Sequence, residues 1–148
     1  MGVTKQHILD SRKELSDAFK DNRMIFVFGS NLAGIHGAGA AATAKRDWGA
    51  THGIGIGHQG QSYAIPTKDA GIRTMTLKDI KPHVKNFTRF ASLNPHLMFQ
   101  VTRVGCGLAG LKDSDMAPMF KWASENCFFD TAWYPFLGNE FNYWGHVP

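Results

Sequence analysis

Three polar side chains stand where their surroundings give each something to act on. Asn31 and His36 lie five residues apart within Gly29-Ser-Asn-Leu-Ala-Gly-Ile-His-Gly-Ala-Gly39, a stretch otherwise made of small or apolar residues, and Lys68 closes Ser62-Tyr-Ala-Ile-Pro-Thr-Lys68. A second glycine-rich segment, Gly105-Cys-Gly-Leu-Ala-Gly110, also follows a short apolar run. Glycine lets backbone approach a ligand closely, so that its N–H groups converge on an anion. Two such loops facing each other could grip a diphosphate. The expected lining is Gly29, Ser30, Gly34, Gly37, Ala38 and Gly39 from the first loop, with Gly105, Cys106, Gly107, Leu108, Ala109 and Gly110 from the second. Each polar residue also has a plain reading: Asn31 as a turn stabiliser, His36 as a loop hydrogen bonder, Lys68 as a solvated cation and Cys106 as small filler.

The elements that must position these groups follow from pattern. Residues 4–20 read as an amphipathic helix, with Ile8, Leu15, Ala18 and Phe19 opposite Asp10, Lys13, Glu14 and Asp17, and residues 1–22 are expected to cover a sheet. Met24–Phe28 is uninterrupted apolar, the mark of a strand buried on both faces. Ala38–Trp48 reads as a helix and Ser62–Ile65 as a strand that Pro66 ends, leaving Thr67, Lys68 and Asp69 at its tip. Arg73–Thr76 suggests a short strand. Leu77–Ser92 suggests a helix capped by Thr76 and disturbed by Pro82. A strand over Leu97–Val104, a helix over Ser114–Glu125 and a strand over Phe128–Trp133 complete the alternation. The tail from Tyr134 to Pro148 is aromatic and irregular, either wrapping over the core or offering a ring to a nucleobase. Such alternation predicts an α/β fold, a three-layer α/β/α sandwich on a mixed central sheet, with the cleft outside the strand ends. The N-terminus of the helix near Ser114 is expected to share in holding the diphosphate.

At 148 residues the chain suits a single domain, 1–148, able to bury one core without metal or disulfide. No apolar run approaches the roughly 20 residues of a membrane span. The start Met1-Gly-Val-Thr-Lys-Gln-His7 lacks the apolar stretch of a secretory signal and has Gln6 where a myristoylation site needs Ser or Thr; a cytoplasmic location is the default expectation. Cys106 and Cys127 make no zinc-like spacing, so no metal is expected. The net charge of +4 allows an anionic ligand or a nucleic-acid partner, but no basic run reaches five residues.

Two motif matches fail on context. Gly55-Ile-Gly-His-Gln-Gly60 spells a dinucleotide fingerprint but leads into a strand, where that fingerprint must open a helix. Gly37-Ala-Gly-Ala-Ala-Ala42 does open a helix, yet no carboxylate stands about 20 residues on to hold a ribose. Neither glycine loop ends in Gly-Lys-Ser/Thr, which excludes a Walker loop. No nicotinamide or other cofactor is expected.

Three segments, in order over residues 24 to about 125, instead resemble macrodomains. Asn31 and the run Gly37-Ala-Gly39 are similar to the loop in which that family's Asn holds the distal ribose of ADP-ribose and its glycines line the diphosphate; viral members place a histidine as His36 stands here. Arg103-Val-Gly-Cys-Gly-Leu108 and Tyr63-Ala-Ile-Pro-Thr-Lys68 look like segments of the terminal ADP-ribose glycohydrolase type, whose Thr-Lys lysine is catalytic. The whole chain also resembles a family of small macro-like proteins common in bacteriophages. The resemblance implies binding of ADP-ribose or a derivative, and hydrolysis at C1″ of the distal ribose. The enzyme would be an ADP-ribosyl hydrolase or an ADP-ribose-1″-phosphate phosphatase, with Asn31, His36 and Lys68 as catalytic residues.

The chain departs from the family in two places. Asp21-Asn-Arg-Met-Ile25 stands where macrodomains carry Gly-Asp-Ile, whose Asp meets adenine, and Ala109 stands where the terminal glycohydrolases carry an acid. The nearest acids by sequence are Asp69 and Asp113. A non-catalytic reader of ADP-ribose or of an ADP-ribosylated macromolecule is the alternative, and a nucleic-acid-binding protein the second alternative.

Overall fold

The computed structural model describes residues 5–146; Met1–Thr4, Val147 and Pro148 lie outside the described residues, as do the side chains of residues 5–11, Ile8 and Asp10 included. Helices α1 (Lys5–Lys20), α2 (Gly39–Asp47), α3 (Leu77–Leu93), α4 (Asp113–Met116) and α5 (Tyr134–Leu137) accompany strands β1 (Met24–Asn31), β2 (Gly57–Gln59), β3 (Ser62–Lys68), β4 (Met98–Val101), β5 (Cys127–Asp130) and β6 (Asn142–Gly145). The six strands form one sheet in the order β2-β3-β1-β4-β5-β6. Only β2 runs antiparallel to its neighbour, so the sheet is mixed.

The apolar run Met24–Phe28 is fully buried because β1 lies inside the sheet between β3 and β4. Alternation sends Ile25 and Val27 to the face covered by α3 and the segment around Phe120, while Phe26 and Phe28 face α2 through Ala44. Leu15 and Ala18 of α1 pack with Met24 and Phe128 on that second face. Helices therefore cover both faces, and the three-layer α/β/α reading holds. Ile80, Val84, Phe87, Thr88 and Ala91 form the buried stripe of α3. Thr76 caps this helix by accepting from the N–H of Asp79 at 3.2 Å.

Several expectations are corrected. β3 passes through Pro66 to Lys68: Pro66 has no N–H to offer, and the parallel ladder to β1 shifts register just after the Ser30–Pro66 pair instead of ending. Pro82 likewise stays inside α3. β1 runs on through Gly29, Ser30 and Asn31, so the first glycine segment starts within the sheet. Residues 73–76 give only a single bridge, Lys68 to Thr74. β4 stops at Val101, where Thr102 turns its N–H and hydroxyl to the carbonyl of Val27. The helix expected over Ser114–Glu125 is one α-turn followed by a 3₁₀ turn, Ala117–Phe120, with Pro118 at its start and Phe120 fully buried. β5 ends at Asp130, whose carboxylate caps a 3₁₀ turn, Thr131–Trp133. The tail is not irregular: β6 pairs in parallel with β5 and buries Tyr143 completely. Phe19, expected on the inner side of α1, is 58% exposed and stands in a T-shaped contact with Trp48. Among the described residues no helix is long and apolar enough to cross a membrane.

Candidate functional site

The parallel strands β3, β1, β4 and β5 deliver their C-terminal ends to one edge of the sheet, and a cavity of about 870 Å³ opens there and runs beneath α2. That lies toward the upper end of the ~300–1,000 Å³ range of small-molecule sites. Lys68 ends β3 and Asp130 ends β5, with β1 and β4 between them. Three strand spacings separate the two ends by about 14 Å. The cavity is therefore long, with Asn31 and Lys68 toward one end and Asp130 and Trp144 toward the other.

Both glycine segments reach the cavity. Gly29, Ser30, Asn31, Gly37, Ala38, Gly39, Lys68, Gly105, Cys106, Gly107, Leu108 and Ala109 line it, whereas Gly34, His36 and Gly110 do not. The backbones of the two segments meet where a Cβ on Gly29 would stand 3.1 Å from the N of Gly105. Leu108 reaches back over the first segment, its Cδ1 only 3.6 Å from where a Cβ on Gly39 would sit.

The first segment is shaped by its own polar groups. Asn31 Nδ2 donates to the carbonyl of Ile35 at 2.8 Å, and Asn31 Oδ1 accepts from the N–H of Ile35 at 3.0 Å. The turn-stabilising reading of Asn31 is thus realised, yet one N–H and one lone pair of the amide stay unspent for a ligand. His36 is buried, standing edge-on to Phe28 with its Nε2 3.1 and 3.0 Å from the carbonyls of Thr51 and Ile54. Both neighbours are acceptors, so Nε2 carries the hydrogen. Its ring reaches residues 51–54, so the loop hydrogen bond named for His36 from sequence is present. Gly55, part of the discounted fingerprint, supports the same loop: a Cβ there would fall 2.0 Å from the carbonyl oxygen of Asn31. Ser30 Oγ donates to the carbonyl of Gly55.

An anion would find its donors at α2. This nine-residue helix begins at Gly39 with no side-chain cap on Ala38 and no acid in its first turn, and Ala38, Gly39, Ala40 and Ala41 all line the cavity. Its free first-turn N–H groups and positive dipole end point to the space between the glycine segments. The N-terminus near Ser114 cannot serve as expected, because α4 is a single turn carrying Asp113 and Asp115. Asp113 instead takes two hydrogen bonds from Arg103 and one from Trp133 Nε1 at 2.7 Å. These bonds, Arg103 foremost, hold its carboxyl below the usual range.

Neither acid named from sequence lines the cavity: Asp69 Oδ1 is taken up by the N–H groups of Gly71 and Arg73. Lys68 is half-buried at the strand end, and among the described residues no carboxylate pairs with it. The Cys106 thiol is pushed up to about 12, first by burial and then by the Asp113 carboxylate, so it offers no thiolate at neutral pH.

At the far end lie Phe26, Gln100 and Asp130, which the sequence did not point out, and Trp144, one of the tail rings it offered to a nucleobase. Trp144 donates its indole N–H to the carbonyl of Val101 at 2.8 Å, which fixes its ring beside Gln100 and Phe26. Gln100 and Phe26 are register partners on β4 and β1, side by side on the cavity face. Asp130, buried, receives the N–H of Ala132 at 2.8 Å and lies 2.8 Å from His146 Nδ1. Phe26 and Gln100 were hidden inside strand patterns, and Trp144 lay in a tail that carries several aromatic residues.

No protein-family model matches the chain, and no curated protein matches it in sequence. Among solved structures it is similar to Thermosipho africanus DarTG in complex with ADP-ribose, with a TM-score of 0.53 and 18% identity over 72% of this chain and 38% of that one. The fold is macrodomain-like. The likeness takes in well under half of the neighbour's length.

Proposed function

We propose that this protein binds ADP-ribose or a close derivative in the cavity under α2. The observation that carries the reading is the cavity's three-part layout. A planar aromatic end with a carboxamide stands at Trp144, Phe26 and Gln100, an uncapped helix start lies between two glycine segments, and a polar end stands at Asn31 and Lys68. Base, diphosphate and distal ribose follow in that order along ADP-ribose. The neighbour of like fold holds that ligand. Gln100 takes the part of the missing adenine-reading Asp, since a carboxamide can pair with the amino group and adjacent ring nitrogen of adenine at once.

At the distal end Lys68 is the group placed to act on C1″, with Asn31 holding ribose hydroxyls. Hydrolysis there needs a nucleophile or oriented water and a proton for the leaving group. His36 contributes by holding the loop, not by touching substrate. The second reading, a non-catalytic reader of ADP-ribosylated partners, is favoured by Ala109 and by the engagement of Asp69 in its own turn.

Calorimetric titration with ADP-ribose, AMP and ribose 5-phosphate, followed by turnover assays on ADP-ribosylated protein, nucleic acid and ADP-ribose 1″-phosphate, decides between them. Tight binding that needs both halves of ADP-ribose supports the ligand. Turnover lost in Lys68→Ala with binding retained supports the enzyme, whereas binding without turnover supports the reader. Absence of ADP-ribose binding, with affinity for nucleic acid falling steeply with salt, would replace both.

A further inference from the structure

Ile72 is a β-branched residue with φ of 63°, in the left-handed region where Cβ crowds the backbone and such residues are outliers. The turn that puts it there is tied from several sides. Asp69 Oδ1 accepts from the N–H groups of Gly71 and Arg73 at 2.9 and 3.0 Å, and the N–H of Ile72 donates to the carbonyl of Asp69 at 3.1 Å. The N–H of Asp69 donates to the carbonyl of Arg73 at 2.8 Å, and Lys68 bridges Thr74. A glycine stands next door at Gly71, yet the left-handed position falls to isoleucine. Strain of this kind persists where the surroundings impose it and gathers at ligand sites. The Ile72 side chain lines the cavity and remains 42% exposed, so a substantial apolar surface awaits cover. Its turn grows directly out of the strand end that carries Lys68.

We propose that Ile72 is a specificity-determining residue for the sugar at the Lys68 end of the cavity. A ribose presents hydroxyls on some edges and C–H groups on others. Asn31 and Lys68 supply polar partners, and Ile72 supplies the apolar wall for the C–H face. That contact exists only for a ligand that continues past the second phosphate, so Ile72 favours ADP-ribose over ADP. This rests on the ADP-ribose reading given above.

The test titrates ADP-ribose and ADP into the wild type, Ile72→Asn and Ile72→Gly, and follows thermal unfolding without ligand. Both replacements accept the left-handed conformation, so neither lowers Tm, and Ile72→Asn raises it by about 3 °C. Both lose about five- to tenfold in affinity for ADP-ribose while ADP affinity stays put. Retention of the wild-type preference by both variants would overturn the proposal. So would a parallel fall of Tm and of both affinities, which marks a merely structural residue. Equal affinity of the wild type for the two nucleotides would remove the ADP-ribose reading and this one with it.

Discussion

The two glycine segments face the same cavity, but the fold holds them differently. The first is buttressed from behind: Asn31 clamps Ile35, His36 reaches the carbonyls of Thr51 and Ile54, and Gly34 and Gly55 press backbone against backbone. The second is tied mainly by its own turns and by one hydroxyl, Thr74 Oγ1 to the carbonyl of Ala109 at 2.8 Å. A Cβ on Gly107 or Gly110 would meet nothing within 4 Å, and Leu108 is 69% exposed. Glycine thus does two jobs in one site. In the first segment Gly29 and Gly34 allow close packing that fixes the course of the backbone. In the second, Gly105 is close-packed against Leu111 and Thr67, whereas Gly107 and Gly110 stand in open space.

Substitutions at Gly55 and Gly107 break this contrast most directly. Gly55→Ala drives a methyl into the backbone of Asn31 and costs about 3 kcal/mol or more, whereas Gly107→Ala, in open space, changes stability by less than ~0.5 kcal/mol. Urea denaturation of the pair measures both, and equal stabilities would mean that the first segment is not held from behind. His36→Ala comes next, with a loss of about 2 kcal/mol from the buried ring's packing against Phe28 and its hydrogen bonding to the carbonyls of Thr51 and Ile54. ADP-ribose affinity falls with it through loosening of the loop. Lys68→Ala, at the cavity surface, leaves denaturation within ~0.5 kcal/mol of wild type, so a destabilised Lys68→Ala would place that lysine in the scaffold instead.

The remaining effect depends on pH and concerns the floor of the second segment, where Asp113 anchors Arg103. The folded carboxyl titrates below its ordinary value, so its stabilisation is fully present above about pH 4 and drains away as pH falls through the depressed folded value. Asp113→Asn is less stable than wild type at neutral pH by about 1 kcal/mol or less, given the partial exposure of the pair. The gap closes on acidification, as chemical denaturation at stepped pH shows. A gap that widened toward acid would contradict the pairing.

Much of this was legible where local chemistry and contact partners lie close in sequence. The run Met24–Phe28, the Thr76 cap and the glycine segments each carry their own signal, because strand burial, capping and close approach depend on residue type at short range. Long-range pairing left no such trace. Trp144 meets Val101 across 43 positions, and β6 joins the sheet from a tail whose apolar residues show no clean period. The fingerprint match at Gly55–Gly60 shows the converse: Gly55 packs beneath Asn31 and Gly60 against Gly49, while Gly57 stands in open space.

Alternating apolar and polar periods and the glycine spacing suffice to determine an α/β sandwich with an anion-sized gap at its strand ends, since both follow from backbone sterics and from burial of apolar faces. Which polar groups look into that gap was decided only by tertiary structure. His36 turned its ring into the scaffold, where Phe28 and the carbonyls of Thr51 and Ile54 receive it, Asp113 was claimed by Arg103, and Gln100, Asp130 and Trp144 came to the cavity because three strands end along one edge of the same sheet.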